Sequence, residues 1–332
     1  MTSDLNDYEF IDKNNMHQEI KSFSEFVSKG YDVVVPLTVD LAPKHILVCG
    51  MGGSGIPGDI LKNYLDTKVL IDVSKDYEVP NYVDKDTLVF ILSYSGNTEE
   101  TLECYRSAYQ KRAKCVVISS GGKIEAVAKA RHDDFIKVPA GHQPRAALPF
   151  LFFAMLKVLS ANKIIGDKSN EVKMVIESLN KDWFEDNAKD LALKLKDTIP
   201  VIYSSKRLHS AALRWKTQIN ENAKTPCFVN VFSELNHNEI CGYTKPQEKY
   251  HVIILIDQED NTQMKKRMDL TKNIITSDNC EVTQIKISGD SKLARIFSAI
   301  YLGDFASFYL AILNDVNPTP VEVIEKLKKK LG

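Results

Sequence analysis

The sequence predicts a two-domain α/β protein in which each domain is a parallel sheet covered by helices. Three observations carry this. Short continuous apolar runs alternate with helical stretches in two separate blocks, the pattern of strands buried on both faces. The chain has 332 residues, a length that suits two domains. It is 44% hydrophobic and 26% charged, so there is enough apolar surface for a real core over most of its length.

Residues 12–30 hold Met16, Ile20, Phe23 and Phe26 at three- and four-residue spacing, which predicts a leading amphipathic helix. The alternation then begins. His45–Cys49 reads as a strand, followed by a Gly-rich turn and a helix over Pro57–Leu65. Lys68–Val73 and Thr87–Leu92 are further strands, the second followed by a helix from Glu99 to about Lys111. Cys115–Ser119 is a fourth strand, before Gly121-Gly122 and a helix over Lys123–Arg131. The helical stretch Pro149–Asn162 reads as a connector, and the polar residues 163–185 as a boundary region. The expected domains are therefore 1–160 and 161–332. In the second block the strands are Pro200–Ser204, Cys227–Phe232, Tyr250–Ile256 and Val282–Ile287. Helices cover His209–Lys224, Gln263–Ile275 and most of Lys292–Leu313, and a last helix starts near Pro320.

The net charge is −1, and no long basic run gives an electrostatic case for nucleic acid. The cysteines, Cys49, Cys104, Cys115, Cys227, Cys241 and Cys280, form no C-x-x-C pair, so reduced and mostly buried thiols are expected rather than a disulfide framework or a zinc site. The histidines show no metal-ligand spacing. The N-terminus is acidic and polar, unlike a signal or transit peptide. The strongest apolar run, Ala146–Leu156, is too short to span a bilayer. A cytoplasmic protein without membrane contact is expected.

Two motifs carry chemistry. Gly50-Met-Gly-Gly-Ser-Gly55 lies between a strand and a helix, where glycines admit a ligand to the backbone and the helix offers free N–H groups to an anion. Alone it fits the dinucleotide fingerprint G-x-G-x-x-G, with Asp72 near the end of the next strand as a ribose-binding acid. Ser93-Tyr-Ser-Gly-Asn-Thr-Glu-Glu-Thr101 also follows a strand and opens a helix. Its hydroxyls, Ser93, Ser95 and Thr98, make a compact cage for a terminal phosphate rather than a long pyrophosphate groove. One such residue is explained as a helix N-cap; three beside a second Gly turn are not.

This pair of motifs resembles the sugar isomerase (SIS) domain, a flavodoxin-like fold that binds phosphosugars. Together with Gln143-Pro-Arg145, Glu221-Asn-Ala-Lys224, Leu235-Asn-His237-Asn-Glu239 and Pro318-Thr-Pro-Val-Glu-Val-Ile324 it resembles the bifunctional phosphoglucose/phosphomannose isomerase family, over about residues 10–331. The departure is Pro57, where a small helix former is expected; proline is tolerated in a first helical turn.

The resemblance implies two SIS domains and an aldose–ketose isomerase acting on glucose 6-phosphate and mannose 6-phosphate through ring opening and a cis-enediol, with no cofactor and no metal. It implies that Gly53, Ser54, Ser93, Ser95 and Thr98 hold the phosphate. Glu221 alone reads as a solvated helix carboxylate; the resemblance makes it the general base that removes the C2 proton. His237 would open the sugar ring, entering the site from the partner subunit of a homodimer. Arg145 would stabilise the enediolate. Thr319 would leave room for the C2–C3 bond to turn, and Lys326 matches a site lysine. Beside these stand a different phosphosugar isomerase and a sugar-phosphate-sensing protein without catalysis. The sensor would carry a basic DNA-binding segment that residues 1–35 lack. A nicotinamide-dependent dehydrogenase rests on the glycine fingerprint alone.

Overall fold

The computed structural model describes every residue except 1–4, 6, 36, 246, 248, 278, 279 and 332. The chain forms two compact units. One comprises Ser22–Asn180 and Gly289–Ile296; the other comprises the N-terminal segment through Lys21, then Lys181–Ser288, then the chain from Phe297 onward.

The leading helical region is two helices, α1 (Met16–Lys21) and α2 (Phe23–Tyr31), not one over 12–30. The Asp12 carboxylate accepts from the backbone N–H groups of Met16 and His17, so the first turn starts at Met16.

In the first unit β1 (His45–Cys49), α3 (Ile56–Tyr64), β2 (Leu70–Ser74), β3 (Thr87–Leu92), α4 (Glu99–Gln110), β4 (Lys114–Ser119), α5 (Lys123–Arg131) and β5 (Asp134–Lys137) follow in order. The strands form one parallel sheet, β2-β1-β3-β4-β5. Central β3 is buried at every position, which explains its unbroken apolar sequence. β5 escapes the sequence pattern because Asp134-Phe-Ile-Lys137 is half charged; its pairing with β4 makes it a strand. The strand order reverses between β1 and β3. Right-handed crossovers then put α3 on one face and α4 and α5 on the other. On that second face Leu47, Cys49, Val89 and Ile91 pack against Cys104, Tyr105 and Ile124. Pro57 sits in the first turn of α3, where its missing N–H costs nothing. α6 (Leu148–Ala161) and α7 (Ser169–Leu179) follow.

The second unit continues with α8 (Trp183–Leu195), β6 (Ile199–Ser204), α9 (His209–Asn222), β7 (Phe228–Val231) and α10 (Phe232–Leu235). Then come β8 (Tyr250–Asp257), α11 (Thr262–Ser277), β9 (Glu281–Ile287), α12 (Lys292–Leu313) and α13 (Glu322–Leu331). The sheet is parallel, β7-β6-β8-β9. Much of 163–185, read from the sequence as a polar boundary region, is helical. Val172, Val175 and Leu179 form the buried stripe of α7, and Phe184 is buried in the first turn of α8. Phe232 opens α10 instead of closing β7.

The longest apolar segment is α12, not Ala146–Leu156. It is the only described helix long and apolar enough to cross a membrane, and its apolar window is wholly buried in the fold. It forms the support of α9. The fully buried Arg214 guanidinium donates to both Asp304 carboxylate oxygens, at 3.1 and 2.9 Å. Trp215 Nε1 donates to the Ala299 carbonyl at 2.7 Å, and Asn222 Nδ2 to Ser307 Oγ at 2.9 Å. An ion pair this deep contributes a fixed register of α9 on α12 more than net stability.

Candidate active site

The loops after β1 and β3 lie where the strand order of the first sheet reverses, the usual ligand position in an open parallel sheet. Gly52–Ser54 forms a short 3₁₀ turn that leads into α3. A Cβ on Gly53 would lie 2.9 Å from the Arg145 Cα, so the turn rests directly on the Pro144–Arg145 backbone and only glycine fits. Arg145 is buried, at 3% exposure. Ser54 Oγ accepts from Tyr94 N at 3.1 Å, which ties the first loop to the second.

In the second loop the buried Ser93 hydroxyl donates to Thr98 Oγ1 at 3.2 Å. Thr98 is the backbone N-cap of α4, yet its side chain makes no capping bond. The N-cap explanation of this hydroxyl therefore fails, and the first turn of α4 keeps its N–H groups directed into the loop. Ser95 is exposed, and its Oγ accepts from Asn97 N at 3.3 Å. Gly96 adopts φ +69°, and a Cβ there would lie 1.7 Å from the Gly121 carbonyl oxygen, so the turn requires glycine. Gly53, Ser54, Ser93, Ser95, Thr98 and Arg145 are thus drawn to one edge of one sheet.

Asp72, the ribose-binding acid of the dinucleotide alternative, is committed elsewhere. Its carboxylate accepts from Lys62 Nζ and from the Tyr82 hydroxyl, each at 2.8 Å. Those two bonds, Lys62 first, hold its pKa below the usual value.

The remaining site candidates belong to the second unit. Glu221 is half-buried in the last turn of α9. It lines a cavity of about 870 Å³ together with Lys216, Asn220, Lys224, Asn317 and Pro320. Thr319 is buried at 5% exposure in the turn after α12, where its N–H donates to Asn317 Oδ1 at 3.0 Å. Lys224 bridges the two: its ammonium donates to the Glu221 carbonyl and, at 3.2 Å, to the Pro318 carbonyl.

The last two candidates are exposed. Lys326 is on α13, paired at 3.4 Å with Glu322, which lines the same cavity as Glu221. His237 is exposed on the turn after α10. Its loop is anchored by Glu239, which accepts from the Tyr203 hydroxyl at 2.5 Å and from Asn230 Nδ2. Because the order of the second sheet reverses between β6 and β8, right-handed crossovers put α9 and α11 on opposite faces. Phe232, Leu235 and Tyr243 pack with Met268 and Ile275 of α11. The His237 loop and the Glu221 helix are therefore carried on opposite faces of one sheet.

The residues that sequence reasoning left without a role are Tyr94, Lys224 and Glu239. All three lie inside the recognised motifs, so the motifs contained the signal, but only coordinates show what each side chain touches. The cysteines are free thiols, buried except for Cys241. Burial pushes the Cys115 and Cys227 thiols up to about 12. Among the described residues no group of three or more His, Cys, Asp or Glu side chains could hold a metal ion.

Residues 42–161 match the SIS domain, and residues 184–331 match the bacterial phospho-glucose isomerase C-terminal SIS domain. Fold and loops together define a protein built of SIS domains. A protein of Caldicellulosiruptor bescii named bifunctional phosphoglucose/phosphomannose isomerase is 40% identical over 96% of this chain and 99% of its own length. The chain belongs to the bifunctional phosphoglucose/phosphomannose isomerase family. A more distant relative, a D-glucosamine-6-phosphate 4-epimerase of Sulfolobus acidocaldarius, is 31% identical over 86% of this chain and 89% of its own. The solved structure of a hypothetical protein from Thermus thermophilus shares the fold, with a TM-score of 0.72 at 15% identity, over 96% of this chain and 88% of that one.

Proposed function

We propose that this protein interconverts glucose 6-phosphate and mannose 6-phosphate with fructose 6-phosphate. The phosphate is held by the backbone of the Gly53–Ser54 turn, by the hydroxyls of Ser95 and Thr98, with Ser93 behind them, and by the N-terminus of α4. His237 moves a proton between the ring oxygen and O1, which opens the pyranose. Glu221 removes the C2 proton, a cis-enediolate forms, and the proton is returned to C1. Arg145 stabilises the negative enediolate. Glucose and mannose phosphates differ only at C2 and share one planar enediol. A single base serves both when the C2–C3 bond can turn, and the small Thr319 leaves that room. Lys326 is assigned to the same site from its place in the family motif.

The observation that carries the reading is the Glu221 carboxylate in the wall of the cavity at the end of α9, in a chain whose other sheet presents the phosphate loops. The placement of His237 supports a homodimer in which His237 serves the substrate bound by a second copy, since its own Glu221 is carried on the far face of the sheet. The test is to supply each aldose phosphate alone, without nicotinamide, and to measure fructose 6-phosphate. Ketose from both supports the assignment. Conversion of glucosamine 6-phosphate alone, or binding without turnover, contradicts it.

A further inference from the structure

The left-handed backbone at the end of α9 is by itself unremarkable. Lys224 has φ +55°, but Arg112, His132, Lys163, Asp197 and Asp315 adopt the same conformation. What separates Lys224 from them is the reach of its side chain. The Glu221 carbonyl is in the last turn of α9, where helix carbonyls lose their intrahelical donors. A cation there is favoured by the helix dipole. The Lys224 ammonium donates to that carbonyl and, at 3.2 Å, to the carbonyl of Pro318. Pro318 immediately precedes Thr319. A second clamp acts from the end of α12, where Asn314 Nδ2 donates to the Ala223 carbonyl at 3.0 Å and to Thr225 Oγ1 at 3.1 Å. Asn314 fixes the helix end to α12. Lys224 alone, of the two, ties it to the turn that carries Thr319.

We propose that Lys224 is a positioning residue: its ammonium holds the main chain of Glu221 and the Pro318–Thr319 turn in one frame. The base is thereby held at a fixed distance from the small residue beside which the substrate must rotate. This rests on the reading of Glu221 as the base. Lys224 itself moves no proton and is not assigned a contact with substrate. The effect is on alignment, to which a proton transfer is steeply sensitive, whereas the phosphate is held elsewhere. Loss of the clamp therefore lowers kcat and spares KM.

The test is Lys224→Gly. Glycine keeps the left-handed turn and relieves its strain, so the melting temperature stays level or rises while the ammonium is lost. The expected result is a kcat lower by about 10–100-fold for both aldose phosphates, the scale of a misplaced catalytic group, with KM unchanged. Lys224→Arg, which keeps a cation at the helix end, recovers most of the loss. Glu221→Gln is measured beside it. Normal kcat in Lys224→Gly with a dead Glu221→Gln overturns the positioning role alone. A loss confined to KM, or a fall in kcat that tracks a fall in melting temperature and is not recovered by arginine, also overturns it. Retained turnover in Glu221→Gln overturns the reading beneath it.

Discussion

The two sheets reverse their strand order in the same way, and the chain turns into a helix at the same two places in each, yet those turns carry opposite chemistry. In the first sheet the turns are Gly50–Gly55 and Ser93–Thr98, built of glycines and hydroxyls. In the second they are Ser205–Leu208 after β6 and Gln258–Asn261 after β8. There the fully buried Asp257 carboxylate faces Arg207 Nε at 3.4 Å and accepts from Glu259 N at 2.8 Å. Asp260 caps the same turn by accepting from Asp257 N at 2.9 Å, and burial raises its pKa. Arg207 also pairs with Glu259. In the second crevice the Arg207 cation is matched by the Asp257 and Glu259 carboxylates of the neighbouring turn. The second unit instead carries the proposed base, Glu221, at the end of α9, which follows β6. A shared architecture therefore predicts where a crevice lies but not whether it binds, which depends on the residues in the turns.

The largest effect expected of this division comes from mixing two inactive variants. If His237 serves a second copy, Glu221→Gln and His237→Ala subunits, unfolded together and refolded as a mixture, regain about a quarter of wild-type activity. Half of random dimers are then hybrids, each with one intact site of two. A site built from one chain stays inactive in every pairing, and that result would remove the crossed arrangement. The next effect belongs to the first sheet alone. Ser95→Ala raises KM for both aldose phosphates by a similar factor, about 10–100-fold for a hydrogen bond to a charged group, with no change in melting temperature. A change for one substrate only counts against the cage.

Much of this was legible in the sequence. β1, β3 and β4 are near-continuous apolar runs because both faces are covered, so they could be placed closely. The two glycine- and hydroxyl-rich turns proposed to hold the phosphate could be placed between strand and helix, because their composition marks a turn. β5 could not be placed, since Asp134 and Lys137 mask a strand that exists only through pairing. The helices within 163–185 could not be placed because its charges outnumber a narrow buried stripe. Glu221 could not be told from a solvated carboxylate by any local pattern: the cavity beside it is completed by Asn317 and Pro320, far along the chain. His237 sits between two asparagines in either reading, and its face of the sheet follows from strand order, which no local motif records.

Smaller effects refine the contrast. Thr319→Gln fills the space for C2–C3 rotation, so mannose phosphate turnover falls more than glucose phosphate turnover, by about tenfold in the ratio. Equal losses in a steady-state comparison would end the steric argument. Arg207→Met removes a cation from the buried Asp257 carboxylate and lowers stability by about 1–3 kcal/mol in denaturant titration, while KM for both sugars is unchanged. A raised KM would show that the second crevice binds substrate after all.

The most direct test of the central claim follows the hydrogen at C2. With wild-type protein in heavy water, part of the proton held by Glu221 exchanges with solvent before it is returned. Fructose 6-phosphate formed from either aldose then carries deuterium at C1, read by mass spectrometry or NMR. Glu221→Gln keeps the shape of the side chain and loses the base. It is expected to bind both sugar phosphates normally, to turn over at least about 10²-fold more slowly, and to leave C1 unlabelled. Near-normal turnover with full C1 labelling in Glu221→Gln would contradict the account, because the proton would then be moved by another group and Glu221 would be no more than a carboxylate at a helix end.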